Sequence, residues 1–314
     1  LVAMPSFHIG GAGWGIQGVT AGAENIVVSE FDPGEVLSII ESHGVTKLFM
    51  VPAAMRLCLH HPKCRETDFS SVKYILYGAS PIPLDLLREA IEVFQCGFVQ
   101  LYGMTETTGT ATYLPPKDHD PTGRSEKMKS AGKPMPGVTV KVVDETGNSL
   151  PPRQVGEICL ASKANMAGYW NLPEATGKTL VEGFVHTGDA GYLDEDGYVY
   201  VHDRVKDMIV SGAENVYPAE VESAIFGHPA VADVAVIGVP DEKWGEAVKA
   251  MVVLKPGAEA TADDIVAFAR QRIAGYKTPR SVDFLPELPR NPSGKILKRE
   301  LRKPFWEGYE RQVN

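Results

Sequence analysis

The sequence predicts an α/β protein in three regions: a parallel sheet layer covered by helices, a small distorted antiparallel β-barrel, and a compact α+β C-terminal domain. Three observations carry this. Residues 1–130 alternate short apolar runs with amphipathic helical patterns. That β-α-β-α-β rhythm calls for crossover connections and therefore a parallel sheet. Between 131 and 205 the helical patterns give way to short strands split by turn residues, the texture of an antiparallel sheet or barrel. From 206 to 314 strands mix with capped helices in a segment of ordinary domain size.

The elements follow in order. KLFMV (Lys47–Val51) reads as a buried strand, and VKYILY (Val72–Tyr77) as a second that ends in Gly78-Ala79-Ser80-Pro81. PLDLLREAIEVF places Leu84, Leu87, Ile91 and Phe94 on one helical face. FVQLY (Phe98–Tyr102) is a third strand. Ligands of such sheets bind beyond the carboxyl ends of the strands, which draws attention to YGASP and YGMTETTG. Residues 118–130 are polar and read as a loop. VTVKVVD, GEICLAS and GYVYV are strands separated by the turns DETGN and DEDG. Pro218 opens the helix PAEVESAIFG from a first-turn position. VADVAVIGV and EAVKAMVVL are strands. TADDIVAFARQRIAG is a helix with Thr261 as N-cap, Asp264 three residues on, and Gly275 past its end.

Composition removes several function classes. The net charge of −9 argues against binding nucleic acid or an anionic membrane surface through charge alone. Cys58, Cys64, Cys96 and Cys159 form no CxxC pair, so a disulfide framework is not expected and a reducing cytoplasm fits. His60 and His61 beside Cys58 and Cys64 match no strong metal-ligand spacing. No apolar run reaches the roughly 18 residues that span a bilayer. A cytoplasmic location is expected, with peripheral membrane association as the variant. No GxGxxG follows a predicted strand and opens a helix, which sets a dinucleotide-dependent dehydrogenase aside. The opening LVAMPSFHIGGAGWG reads like the middle of a domain, so a longer protein is expected.

Several stretches carry side chains with chemistry. In Tyr102-Gly103-Met104-Thr105-Glu106-Thr107, hydroxyls suit phosphate oxygens and a carboxylate suits Mg²⁺; a plain strand-to-loop turn explains it equally well. His186-Thr187-Gly188-Asp189 offers a carboxylate for ribose hydroxyls, and Arg204 in DRVKD a fork for phosphate or ribose oxygens; a surface ion-pair cluster is the plainer account. Ser211–Glu222 is a small-residue loop leading into a helix, the kind that lets backbone approach a ligand. His8 in MPSFH suits a gate or an acid–base group, although a lone histidine is more often structural. Lys295 follows Ser-Gly in RNPSGKILKRE, as either a solvated lysine or a reactive group delivered by a turn.

Order and spacing decide among these readings. MPSFH, YGASP, YGMTET, MAGYWNLPEAT, HTGD, DRVKDMIVSGAENVYPAEVE, PDEKWGEA and PRNPSGKILKREL occur in this sequence in that order. The set resembles the adenylate-forming superfamily of acyl-CoA synthetases, peptide-synthetase adenylation domains and firefly luciferase. KDMIVSGAENVYPAEVE and PDEKWGEA look most like fatty-acyl or aryl CoA ligases.

The resemblance implies an acetyl-CoA synthetase-like fold with a mobile C-terminal domain. It also implies two half-reactions: a carboxylate and ATP give an acyl-adenylate, which passes its acyl group to the CoA thiol. ATP, Mg²⁺ and CoA are then the expected small molecules, beside a carboxylic acid of medium or long chain. By position, Gly78, Ala79, Ser80, Pro81 and Tyr102 would form the adenine slot, Gly103 and Met104 would also belong to the ATP/AMP site, and Asp189 and Arg204 would grip the ribose. Thr105 would touch the α-phosphate and Glu106 would hold Mg²⁺. Lys206 matches the hinge, Lys295 the adenylation lysine, and His8 a position lining the acyl tunnel. Ser211, Gly212, Ala213, Glu214, Trp244, Tyr276 and Arg280 match positions near CoA. Electrostatics support the lysine assignment, because attack on the α-phosphate builds negative charge that an ammonium stabilises.

One part of the family pattern does not appear. The Ser/Thr/Gly-rich phosphate loop with its lysine should precede MPSFH, and Gly10–Gly18 (GGAGWGIQG) lacks the hydroxyls and the lysine. The chain alone is therefore expected to bind ATP weakly and to fail in adenylation. Uncovered apolar edges would leave surfaces for self-association. The alternatives are an aryl- or dicarboxylate-CoA ligase and a non-catalytic fragment.

Overall fold

A computed structural model describes residues 1–122, 125–212 and 214–307. It divides into two compact units, Leu1–Val201 and His202–Asn314. That division falls a few residues ahead of the expected domain start at 206.

The first unit begins with α1 (Ala12–Thr20), α2 (Pro33–Ser42), β1 (Lys47–Met50) and α3 (Pro52–His60). The glycines of Gly10–Gly18 lie in and just before α1, not at a strand-to-helix turn. The Asp32 carboxylate accepts the Glu35 N–H at 2.7 Å and starts α2. Cys58, on α3, is a core residue. Then come β2 (Tyr74–Gly78), α4 (Leu84–Phe94), β3 (Gly97–Met104), β4 (Gly109–Leu114) and β5 (Lys133–Pro134). These strands form one sheet in sequence order. β1, β2 and β3 are parallel, as the rhythm requires, whereas β4 and β5 run antiparallel. YGMTETTG is therefore the tip of a β3–β4 hairpin, not a plain strand end. α4 buries Leu86, Leu87, Ala90 and Phe94. Leu84 and Ile91, expected on that face, are only half-buried.

A second, curled sheet has the order β10-β9-β7-β6, with β8 paired to β9. Its members are β6 (Thr139–Val143), β7 (Gly156–Ala161), β8 (Leu180–Val181), β9 (Phe184–Leu193) and β10 (Val199–Arg204), with α5 (Pro173–Thr179) inserted before β8. A short 3₁₀ turn, Glu126–Lys129, lies in the 118–130 loop, which buries Met128 and Ser130. Ala111 and Ala131 of the first sheet region pack on Val142, Ile158, Leu160 and Val199 of the curled sheet. That shared apolar layer sets the distance at which polar groups of the two sheets can meet.

The second unit adds β11 (Ile209–Ser211), β12 (Glu214–Val216), α6 (Pro218–Phe226), β13 (Val231–Asp241), β14 (Gly245–Leu254), α7 (Ala262–Arg270), β15 (Ser281–Phe284) and α8 (Lys298–Trp306). The sheet order is β12-β11-β14-β13, with β15 parallel to β14. Strand alternation serves two cores at once. Val234 and Val236 of β13 join Val221 and Ile225 of α6 and Ile265 of α7. Ala235 and Ile237 join Leu288 and Leu301 on the other face. Thr261 and Asp264 form the expected reciprocal cap of α7. That helix stops at Arg270, however, and Gly275 opens a separate 3₁₀ turn.

Candidate active site

The tip of the β3–β4 hairpin is built around a buried threonine. The Thr107 hydroxyl lies 3.0 Å from the Met104 carbonyl and 3.1 Å from the Gly109 carbonyl, and it accepts the Met104 N–H at 3.2 Å. It thus ties together the end of β3 and the start of β4. Thr108 takes a left-handed backbone at φ 56°. The turn leaves Thr105 exposed and Glu106 half-buried. Gly103 has no room for a side chain, since a Cβ there would stand 1.8 Å from the Gly109 carbonyl oxygen.

Gly78, the last residue of β2, is paired with Leu101, one residue before Tyr102. A Cβ on Gly78 would stand 2.1 Å from the Leu101 carbonyl oxygen. The next residue, Ala79, has φ 69°, a conformation that costs a residue with a side chain about 1–2 kcal/mol. Gly78 and Ala79 thus turn the chain sharply beside Tyr102, with Ser80 half-buried and Pro81 exposed beyond them.

HTGD lies within β9. Cys159 of β7 pairs with His186 and Glu157 with Ala190, so Thr187–Asp189 bulge opposite Ile158. Gly188 supplies the left-handed residue at φ 68°. Such bulges re-aim side chains next to functional sites. The buried Thr187 hydroxyl donates to the Ile158 carbonyl at 2.7 Å and accepts the Asp189 N–H at 3.0 Å. Glu157 holds the bulge from the other side. One oxygen accepts the Gly188 N–H at 2.9 Å, and the other lies 2.7 Å from His186 Nδ1.

Asp189, aimed by this bulge, accepts a hydrogen bond from the Tyr102 hydroxyl at 2.8 Å. That bond joins YGMTET to HTGD, 87 residues apart in sequence. A second link uses a residue the sequence reading did not select. Tyr169, from MAGYWN, donates its hydroxyl to Glu106 Oε1 at 2.6 Å, and Met166 N–H donates to the Glu106 carbonyl at 2.8 Å. Only the GYWN motif itself signalled Tyr169. Glu157 was missed because its partners appear only once the bulge is formed.

Among the described residues, one group of cation-ligating side chains comes together: Glu157, Cys159 and His186, within 4.8 Å of one another. Both Glu157 oxygens are already engaged with His186 and Gly188. Burial, with the Glu157 charge, pushes the Cys159 thiol up to about 12. The group reads as a brace for the bulge. Glu106 fits a hard cation better, because Tyr169 bonds one oxygen and Oε2 stays open among the described residues. Mg²⁺ prefers such oxygen donors and keeps several waters.

His8 is half-buried near the start of the first unit. Its Nδ1 accepts the Gly10 N–H at 3.1 Å, which puts the proton of a neutral ring on Nε2.

The second unit holds the remaining residues. Asp203 is buried, accepts the Arg204 N–H at 2.8 Å and the Ala219 N–H at 2.9 Å, and so caps α6 from outside the helix. Arg204 is half-buried and Lys206 is exposed on a 3₁₀ turn, Val205–Asp207. Ser211 is buried, Glu214 is exposed and Ala213 lies outside the described residues. Gly212, at φ 62°, donates its N–H to the Trp244 carbonyl at 2.9 Å. A Cβ on Gly212 would meet the Trp244 ring at 2.5 Å. The half-exposed indole also has Lys243 4.6 Å and Arg280 5.5 Å from its ring centroid. Gly212, Trp244 and Arg280 thus form one patch, with Lys243 added. Tyr276 is exposed beside Lys277.

Lys295 is exposed on a loop that closes on itself. Arg290 and Ile296 form an antiparallel bridge, and Asn291 N–H donates to the Lys295 carbonyl at 2.9 Å. The Asn291 side-chain oxygen accepts the N–H groups of Ser293 at 3.0 Å and Lys295 at 2.9 Å. The Ser-Gly pair therefore belongs to a pre-shaped turn.

Known proteins supply the context for this geometry. The family model described as AMP-binding enzyme matches residues 1–170, and that described as AMP-binding enzyme C-terminal domain matches 220–295. A fatty acid–[acyl-carrier-protein] ligase, ScoC, of Streptomyces coeruleorubidus is 47% identical over 100% of this chain and 60% of its own length. A feruloyl-CoA synthase of an Amycolatopsis species is 44% identical over 97% of this chain and 61% of its own length. ATP-bound MatB from Rhodopseudomonas palustris superposes with TM-score 0.87 at 33% identity, over 99% of this chain and 60% of that one. The o-succinylbenzoate CoA synthetase MenE from Bacillus subtilis, in complex with its acyl-adenylate intermediate, gives 0.85 at 35%, over 100% and 61%. The chain thus spans about 60% of the length of these relatives.

Proposed function

Because this chain belongs to the AMP-binding enzyme family, we propose that the whole protein activates a carboxylic acid with ATP through an acyl-adenylate and then forms a CoA thioester. The observation that carries the reading is the Tyr102–Asp189 hydrogen bond at 2.8 Å. It sets an aromatic ring for adenine beside a carboxylate for the ribose hydroxyls. Thr105 and Glu106 stand on the same hairpin, where the hydroxyl would meet the α-phosphate and the carboxylate would hold Mg²⁺. The metal neutralises phosphate charge when bound. Arg204 adds a forked donor to the ribose, and Lys295 supplies the cation for charge that develops during adenylation.

Trp244, Arg280 and Lys243 support the CoA half. An exposed indole flanked by two cations suits a phosphorylated purine through stacking and charge. Gly212 lies against that indole, Ser211 pairs with Gly245 and Glu214, and Tyr276 offers a further exposed ring. Lys206 is the pivot position in this reading, and His8 lines the acyl approach.

The substrate we favour is a medium- or long-chain fatty acid. An aryl acid is the second reading, favoured by the feruloyl-CoA synthase at 44% identity. ATP–pyrophosphate exchange by the full-length protein, over a panel of fatty, aryl and dicarboxylic acids, tests both. Exchange with fatty acids followed by CoA thioester formation supports the first reading, and preferential exchange with cinnamic-type acids supports the second. Absence of carboxylate-dependent exchange across the panel overturns the function. The net charge of −9 disfavours nucleic acid as a partner. No helix among the described residues is long and apolar enough to cross a membrane.

A further inference from the structure

We infer that Arg290 and Asp233 are positioning residues for Lys295, setting the height and tilt of the loop that presents it. The inference rests on the assignment of Lys295 to adenylation. Arg290 spans two anchors. One arm of its guanidinium donates to Asp233 Oδ2 at 2.6 Å and the other to the Gly294 carbonyl at 2.5 Å. Gly294 is the residue immediately before Lys295.

Asp233 is itself fixed. It is buried on β13, at the register shift between Val231 and Asp233, and its Oδ1 accepts the Val234 N–H at 3.0 Å. The base of the loop is set independently. Leu288 is buried in a core cluster, Ile296 packs against it, and Leu297 N–H donates to the Pro289 carbonyl at 2.8 Å. The Asn291 bonds shape the loop internally. Base and shape leave the tilt of the tip to be determined, and Arg290 ties that tip to the sheet. Lysine at 290 would keep the charge but lose the two-armed fork that spans carboxylate and carbonyl.

Misplacement of a reacting group by about 1 Å can cost a hundredfold in rate. In the full-length protein, Arg290→Lys should therefore slow adenylate formation by about a hundredfold, with KM for ATP unchanged. Thioester formation from supplied acyl-adenylate should keep its wild-type rate. Asp233→Asn, which preserves shape and the Val234 contact, should act in the same direction. The double variant should be no slower than Arg290→Lys alone, since both break one link. Melting temperatures are read alongside.

Wild-type adenylation in both single variants, with Lys295→Ala inactive, overturns the inference while sparing the functional reading. So does a parallel fall in both half-reactions, which marks the pair as support for the whole unit. Undiminished adenylation in Lys295→Ala overturns the parent assignment and this inference with it.

Discussion

Tyr102 and Gly212 each make a contact that one substitution can test. The Tyr102 hydroxyl orients the Asp189 carboxylate, and a hydrogen bond to a charged group contributes about 1.5–3 kcal/mol. Tyr102→Phe should weaken ATP binding to the full-length protein by about tenfold, measured by titration calorimetry, and lower the melting temperature by about a few degrees. Unchanged affinity would separate Asp189 from nucleotide recognition. Gly212→Ala faces two obstacles, a positive φ and the Trp244 ring 2.5 Å from the new Cβ. The left-handed conformation alone costs about 1–2 kcal/mol. The variant should melt lower and show altered tryptophan emission, and an unshifted spectrum would mean that the ring is not seated on Gly212.

At the scale of elements, two buried polar junctions dominate. Lys298, at the start of α8, lies 2.8 Å from Glu222 on α6 and 3.5 Å from Asp203 at the end of β10. Glu222 also accepts the Val236 N–H of β13 at 2.7 Å. One ammonium thus joins four elements. Lys298→Met would leave two buried carboxylates without their cation, a change that costs about 3–5 kcal/mol. A large fall in the denaturation midpoint is expected, and a fall too small to resolve would show that the carboxylates are solvated.

The second junction lies under the first sheet. The Pro115 carbonyl can only accept, so His119 Nδ1 carries the proton at 3.0 Å and Nε2 accepts from the buried Tyr77 hydroxyl at 3.0 Å. Burial holds the His119 pKa below its ordinary value, against the opposing pull of Pro115 and Asp118. A depressed folded pKa gives stability that is present above about pH 6.5 and lost as pH falls through the folded value. Wild-type protein should therefore lose stability faster than His119→Gln as pH drops below about 6.5. Parallel pH profiles would show that His119 does not contribute.

These elements also show what the sequence discloses. The parallel strands and the cap of α7 were legible because period and capping residues are local signals. The face of α4 was misjudged by a fraction of a turn. Leu86 and Ala90 bury where Leu84 and Ile91 do not, a choice made by the packing partner. α8 carries Pro304 near its end, a residue that argues against helix in a local reading. Among the candidate site residues, Tyr102, Glu106 and Asp189 were selected from their motifs. The contacts of Glu157 and Arg290 were not foreseen, because each meets a partner placed by a bulge or register shift.

For the whole molecule, the two units carry different parts of the motif set. Tyr102, Glu106 and Asp189 lie in the first, and Arg204, Trp244, Arg280 and Lys295 in the second. The two proposed half-reactions can therefore be tested one at a time. Lys295→Ala in the full-length protein should slow adenylate formation by about a hundred- to a thousandfold, since losing such a group costs about 2.7–4 kcal/mol of transition-state stabilisation. Capture of the acyl group from supplied adenylate by CoA should persist. Equal loss of both steps would remove Lys295 from its proposed role.

Thr107 adds one last consequence. Its buried hydroxyl fastens the two arms of a hairpin, while of the residues beside it Thr105 is exposed and Glu106 is half-buried against Tyr169. The fastening does not depend on what those two residues are. Such a pedestal allows the chemistry at the summit to be exchanged by substitution without reshaping the rock beneath, so reactive function and architecture can diverge separately at this spot.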